Sequence, residues 1–305
     1  MMPYLIWRES EMVSELKSIV VSMRPQQWSK NVFIFVGLIF SRSLFDLYRL
    51  QKVTLGFILF CLGASSVYIF NDIQDSMKDK EHPEKSKRPL ASGNLRVANA
   101  YAASAVLAVI SFVGAFLIEK TFFLILAIYV IMNVAYSIKI KHVVILDVMC
   151  IAFGFVFRVF AGTVLAGVSP SDWLIICTIT LSLFLGLSKR RQELALIGTD
   201  APNHRRVLTD YNIAFLDQMT AVATACTVMS YALYTVADET VTRFGTRNLV
   251  FTIPFVIYGI YRYLYLIHRK EIGGNPTEEL ISDLPMFLNG LIWLVVVLFI
   301  IYYKA

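Results

Sequence analysis

Charge is what this sequence has least of. Asp, Glu, Lys and Arg make up 16% of its 305 residues, against roughly a quarter in soluble domains. Hydrophobic residues reach 57%, more than a soluble fold of this length can bury. That excludes an ordinary soluble domain. Strand-type alternation of polar and apolar residues is missing too, which argues against a transmembrane β-barrel. Cysteine is sparse: Cys61, Cys150, Cys177 and Cys226 lie far apart inside apolar runs. They show neither metal-ligand spacing nor a disulfide framework and read as small packing residues. The opening MMPYLIWRESEMVSELKSIV carries acids and no small-residue cleavage site, so no secretory signal is expected. Residues 1–30 read instead as an amphipathic segment lying along a membrane surface.

What the chain does have is long apolar runs, each long enough to cross a bilayer. Nine spans are expected, at 31–46, 53–71, 98–118, 121–138, 144–166, 173–189, 214–236, 247–267 and 284–303. The first is short and contains Gly37, so it is expected to be broken or tilted. The fold class is an all-α integral membrane protein, a single domain over 1–305. Of the 28 Lys and Arg residues, nineteen fall on the N-terminal segment and on the connections after spans two, four, six and eight. Seven fall on the opposite side, and Arg158 and Arg262 lie within spans. The positive-inside rule makes the first side cytoplasmic, in a multi-pass protein of the plasma (inner) membrane. It also accounts for the net charge of +6 without a nucleic-acid partner. The two longest connections, 72–97 and 190–213, lie on that cytoplasmic side, and long loops in compact proteins carry function.

The densest charge stands at 68–93, YIFNDIQDSMKDKEHPEKSKRPLASG. With the second span continued as a helix to residue 80, Asn71, Asp75 and Asp79 drift by about 40° per step, and Asp72 lies about 100° from Asn71. Four oxygen-bearing side chains then share about a third of the helix circumference over roughly 12 Å. Carboxylates so placed repel one another unless a cation sits among them. Mg2+ takes oxygen ligands, keeps several waters and uses one or two carboxylates together with substrate phosphates. An Mg2+–diphosphate site is therefore expected at this helix end. His82, Lys85, Lys87 and Arg88 follow the acids; Arg forks onto phosphate oxygens and Lys supplies a point charge. Pro83, Pro89 and Gly93 supply turns that fold this run back over the acids. Lys78, Lys80 and Lys87 read equally well as solvated positive-inside charges.

These residues resemble a known family. NDIQDSMKD (71–79) fits the N-D-x-x-D-x-x-x-D signature of the UbiA prenyltransferase superfamily, RPLASG (88–93) the element after it, and YSIKIKH (136–142) its Tyr/Lys element. The nine spans match as well. Aromatic prenyltransferases of that superfamily usually carry a second Asp-rich motif after the sixth span. Here the chain has LSKRRQEL (187–194), three basic residues and then Glu193. RPQQWSKNV (24–32), EHPEKSKRP (81–89) and LDVMCIAFGFVFRVFAG (146–162) are similar to the decaprenyl-phosphate phosphoribosyltransferase branch. That branch moves 5-phosphoribosyl from phosphoribosyl diphosphate (PRPP) to a polyprenyl phosphate for cell-wall glycans. The resemblance implies that the diphosphate belongs to the sugar donor and that the lipid is the acceptor. It also implies self-association.

On that basis Asn71, Asp75 and Asp79 are expected to hold Mg2+, with Asp72 beside them, and Lys85 and Arg88 to clamp phosphate. Asp75, Asp79 and Lys189 are the expected catalytic residues. Lys189, Arg190 and Glu193 fall within one helical turn. The two bases suit the acceptor phosphate or the donor's 5-phosphate. Glu193 suits ribose hydroxyls, a second metal, or a plain i,i+4 pair with Lys189. Lys30 and Lys141 either line the same mouth or face lipid headgroups, and Tyr136 either meets phosphate or belongs to an aromatic belt. Arg158 lies deep in span five, where a lone cation costs about 2.5–3.5 kcal/mol by insertion scales; a phosphate contact and a structural ion pair both account for it. Displacement at C1 is expected with inversion. Two other functions compete. Prenyl transfer to an aromatic acceptor lacks its second acidic motif here. A lipid-phosphate or ion transporter would place its charges nearer the bilayer midplane than one face.

Overall fold

The computed structural model describes residues 14–81, 85–197, 206–270 and 282–303. Expectations that fall on His82, Pro83 and Glu84, on 1–13 and on 198–205 lie outside the described residues. Eight helices are long and apolar enough to cross a membrane: α1 (Leu47–Asp79), α2 (Val97–Ile118), α3 (Lys120–Ile138), α4 (Leu146–Leu165), α5 (Asp172–Ile197), α6 (Ile213–Val236), α7 (Ile253–Lys270) and α8 (Leu284–Tyr303). No strand is present among the described residues. The expected spans two to nine are these eight helices, with ends shifted by a few residues.

The expected first span is broken, as its shortness and Gly37 suggest. Residues 31–46 are not a long α-helix: a 3-10 helix, Pro25–Phe35, runs into the short α-helix Val36–Phe40. The segment still covers the depth of the bundle. Its start, Arg24, pairs with Asp72 near the end of α1, while Ser43 and Asp46 meet Arg49 at the start of α1. It therefore runs antiparallel beside α1. The segment packs closely on α4. A Cβ on Gly162 would stand 1.8 Å from the Ile34 carbonyl oxygen, so the two backbones touch, and the core of Ile34, Leu38, Phe60, Leu126 and Leu165 closes around that contact.

Neighbours in sequence are mostly neighbours in space, as short connections require. α1 packs on α2, α3 on α4, α4 on α5, α5 on α6, and α7 on α8. The far end of the first segment closes the ring: Phe40 packs among Tyr234, Phe244, Val297 and Ile301, and Arg42 caps the carbonyls of Phe244 and Ile301. Small polar residues let α1 and α2 approach, with Ser111 giving its hydroxyl to Leu59 O (2.8 Å) and Ser104 to Ser66 O (2.9 Å). The outer faces carry exposed Val106, Val109 and Val113 on α2, Ile131 on α3, Val222 and Met229 on α6, and Val295 and Phe299 on α8. Such surfaces are stable only against lipid, so the chain is a multi-pass membrane protein.

Candidate active site

The candidate site gathers at one end of the bundle, where α1 outruns its apolar stretch. At 33 residues, α1 is about 50 Å long against a hydrocarbon core of about 30 Å. Its last turns carry the acids, so Asn71–Asp79 is helix rather than loop, as the spacing expects. Asn71 gives its amide N–H to Asp75 Oδ2 at 3.2 Å, an i,i+4 contact on one face. Asp72 and Asp79 are buried, at 3% and 4% exposure.

Each aspartate is paired with a base from another part of the chain. Arg24 pairs with Asp72. It stands in a left-handed conformation, φ 53°, before Pro25, which disfavours the right-handed helix at that point, and its guanidinium lies over the Tyr68 ring. Arg88 reaches both buried acids with a single nitrogen, Nη1, at 3.1 Å from Asp72 Oδ1 and 2.7 Å from Asp79 Oδ2. The fold-back expected of this run is present: Ser92 N–H bonds Arg88 O (2.8 Å), Leu95 N–H bonds Pro89 O (3.0 Å), and Gly93 takes φ 82°. Leu90 and Leu95 then pack on Ile69 and Ile73 of α1. Lys141, in the 3-10 turn Ile140–His142, gives its ammonium to Asp75 Oδ1 at 2.7 Å. Lys85 stands in the neighbouring turn Lys85–Lys87 and is half-buried.

A second group forms where α5 ends. Asp147 at the start of α4 is wholly buried, and Arg190 is 1% exposed. Arg190 Nε bonds Asp147 Oδ2 and its Nη1 bonds Glu193 Oε2, both at 2.6 Å, with the Tyr136 hydroxyl at 3.4 Å from Nη2. Tyr211 gives its hydroxyl to Asp147 Oδ1 (2.8 Å) and accepts the N–H of Ile145 (2.7 Å), a β-branched residue strained at φ 69°. Burial pushes the Tyr211 phenol well above its ordinary range. Arg190 is thus committed to carboxylates inside the bundle. The i,i+4 pair open to Glu193 is present, with Lys189 at 3.9 Å. Lys30 lies in the 3-10 helix Pro25–Phe35, where it shares one field with the cations Lys189, Arg158 and Arg24.

Arg158 is buried and meets no carboxylate among the described residues. It bonds Asn31 Oδ1 (2.7 Å), Gly154 O (2.7 Å) and the Tyr129 hydroxyl (3.0 Å), with the rings of Phe60, Tyr129 and Phe155 within 5.0–5.5 Å. Neither a structural ion pair nor an open anion contact describes it: the charge rests on neutral oxygens and π-faces. Three site residues escape the sequence reading, namely Arg24, Asp147 and Tyr211. Asp147 carried a usable signal, an acid inside an apolar run. The other two carried none.

The donor set suits a hard cation. Asn71, Asp72, Asp75 and Asp79 offer only oxygen, the chemistry Mg2+ takes. One cationic nitrogen already bridges Asp72 and Asp79, which marks a point where positive charge is held between them. No three His, Cys, Asp or Glu side chains among the described residues converge as a ready cage, which fits a metal completed by waters and substrate phosphates.

Comparison with known proteins gives the family and the fold. A model of the UbiA prenyltransferase family matches residues 31–291. The decaprenyl-phosphate phosphoribosyltransferase of Corynebacterium glutamicum is 30% identical, over 93% of this chain and 86% of that protein. The protein of that name from Mycobacterium tuberculosis is 30% identical over 92% of each chain. Among solved structures, a UbiA homolog from Archaeoglobus fulgidus bound to GPP and Mg2+ superposes with a TM-score of 0.72, at 18% identity, over 93% of this chain and 99% of that one. That last likeness concerns the fold.

Proposed function

The chain belongs to the UbiA prenyltransferase family and is a membrane transferase, and from that premise we propose that it moves 5-phosphoribosyl from PRPP to a polyprenyl phosphate, releasing diphosphate. The observation that carries the proposal is the contrast between the two halves of the site. The end of α1 offers acids with exchangeable bases, suited to a metal–diphosphate. The end of α5 offers Lys189 beside Lys30, while its one acid, Glu193, is taken by Arg190 and Lys189. Among the described residues that end holds no second acidic cluster for a metal–diphosphate, whereas its lysines suit a bare phosphate monoester. The names of the 30%-identical relatives favour the same substrates.

In this mechanism Asn71, Asp75 and Asp79 would hold Mg2+, with Asp72 supporting. When bound, the metal supplies Lewis-acid neutralisation of the leaving diphosphate. Arg88, Lys85 and Lys141 take the remaining phosphate oxygens. They stabilise charge that grows as the C1–O bond breaks, usually the largest contribution to such transfers. Lys189 and Lys30 hold the acceptor's phosphate on the opposite face of the ribose. Its oxygen is already anionic and attacks C1 without a general base, so the configuration inverts. Asp147, Arg190 and Tyr211 fix the ends of α4 and α5 that present these groups. The site faces the cytoplasm, where PRPP is soluble.

The test is direct. Purified protein with Mg2+, PRPP and a polyprenyl phosphate should yield lipid-linked phosphoribose. No such product, together with prenylation of an aromatic acid from a prenyl diphosphate, would overturn the proposal. Asp75→Asn should lower turnover by at least about 100-fold with the fold retained; full activity in that variant would sink the metal assignment.

A further inference from the structure

We propose that Arg88 is a built-in counter-cation that competes with the divalent metal for Asp72 and Asp79, so that metal and diphosphate bind as a coupled pair. This rests on the metal–diphosphate reading above and adds to it a thermodynamic property. The three aspartates Asp72, Asp75 and Asp79 are each matched by a base, Arg24, Lys141 or Arg88. Asp72 and Asp79 are too buried to give up a counter-charge to water alone. A metal entering by itself meets carboxylates already neutralised, and it leaves bases without partners. A diphosphate entering by itself draws the bases away and leaves buried acids bare. When both enter, the metal takes the acids, the bases take the phosphate oxygens, and every charge stays paired.

Arg88 is the member built to trade. Its Nη1 lies between the two acids, where a bridging cation would compete with it directly. It stands on the connection between α1 and α2 rather than within a long helix, and its side chain is 27% exposed. Arg24 is held over the Tyr68 ring. Lys141 is buried in the turn Ile140–His142.

The probe is Mn2+, followed by electron paramagnetic resonance on the full chain in lipid nanodiscs, with and without inorganic pyrophosphate. Wild-type protein should bind Mn2+ alone weakly and tighten about tenfold or more with pyrophosphate, within the usual range of coupling between sites. Arg88→Gln removes the competing charge. It should bind Mn2+ alone about tenfold more tightly than wild type, and the gain from pyrophosphate should shrink to less than about threefold. Arg88→Lys keeps the charge but reaches one carboxylate at a time, so it should fall between the two. Arg88→Gln binding Mn2+ alone no better than wild type, in protein with an unchanged melting temperature, overturns the competition while leaving the metal site standing. No Mn2+ binding in any variant, even with pyrophosphate, overturns both the competition and the reading beneath it.

Discussion

Asp147→Asn is the sharpest test of how the site is framed. Asp147 is wholly buried, and its two oxygens each accept a bond, from Arg190 Nε at 2.6 Å and from the Tyr211 hydroxyl at 2.8 Å. Asparagine keeps the shape but has one acceptor oxygen and turns an N–H2 toward the other donor. Tyr211 cannot answer by rotating freely, because its oxygen already accepts the Ile145 N–H. One donor is therefore left facing a donor inside the bundle. Breaking a buried ion pair by removing one partner costs about 3–5 kcal/mol. Glu193 still neutralises Arg190, which places the expected loss near the lower end, about 3 kcal/mol. The control is Glu239→Gln, which removes a partner of Arg243 from a pair 37% and 49% exposed and should cost no more than about 1 kcal/mol.

Reversible unfolding in bilayers measures both, and thermal denaturation in detergent should rank them in the same order. The double variant Asp147→Asn/Arg190→Gln removes both charges, and it should be less destabilised than the sum of the single variants by about 1–3 kcal/mol. A loss in Asp147→Asn no greater than in Glu239→Gln would refute the claim that this carboxylate fixes the ends of α4 and α5. Strict additivity in the double variant would refute the pairing.

Two other outcomes follow from the same geometry. Lys30 lies within the field of Lys189, Arg158 and Arg24, and Lys30→Gln should raise KM for the polyprenyl phosphate by about tenfold, the loss of one hydrogen bond to a charged group; an unchanged KM would remove Lys30 from the acceptor site. Gly162→Ala puts a Cβ 1.8 Å from the Ile34 carbonyl. It should cost at least about 1–3 kcal/mol and raise KM for both substrates, because the displaced segment also carries Arg24 and Lys30; a variant with wild-type melting and KM would show that the two backbones do not need this contact.

Most of the fold was legible because membrane spans announce themselves by length and composition. The acid face was legible because a helix repeats every 3.6 residues, and Asn71 and Asp75 do meet as that period requires. The first span was expected to be broken or tilted, and a 3-10 helix running into a short α-helix is what stands there. Its backbone contact with Gly162, 128 positions away from Ile34, is one that a local window does not see. Arg190 was read as a phosphate ligand from its place beside Lys189. Its direction into the bundle depends on Asp147, 43 positions earlier. Arg24 and Tyr211 belong to pairs 48 and 64 positions apart, and neither residue type nor spacing marks them. What single-sequence reading supplies is the face of a helix; which other segment's charge answers that face is decided by packing.

The two charged clusters look alike in composition and differ in what they can do. In both, an acid on one segment meets a base on another, and in both the pairing offsets the cost of charge away from water. Around Asp147 the pair with Arg190 is 0% and 1% exposed, out of reach of a soluble ion, and Arg190 keeps a second carboxylate in Glu193. That cluster can only hold. Around the end of α1, Arg24, Arg88 and Asp75 keep 28%, 27% and 23% of their side-chain surface in contact with solvent. Those pairs can pass their charges to an incoming metal and phosphate without ever being unpaired. A transferase working at a membrane face needs both kinds. The locked cluster holds the ends of α4 and α5 together, and under the proposed coupling the open one would change partners only when metal and phosphate arrive together.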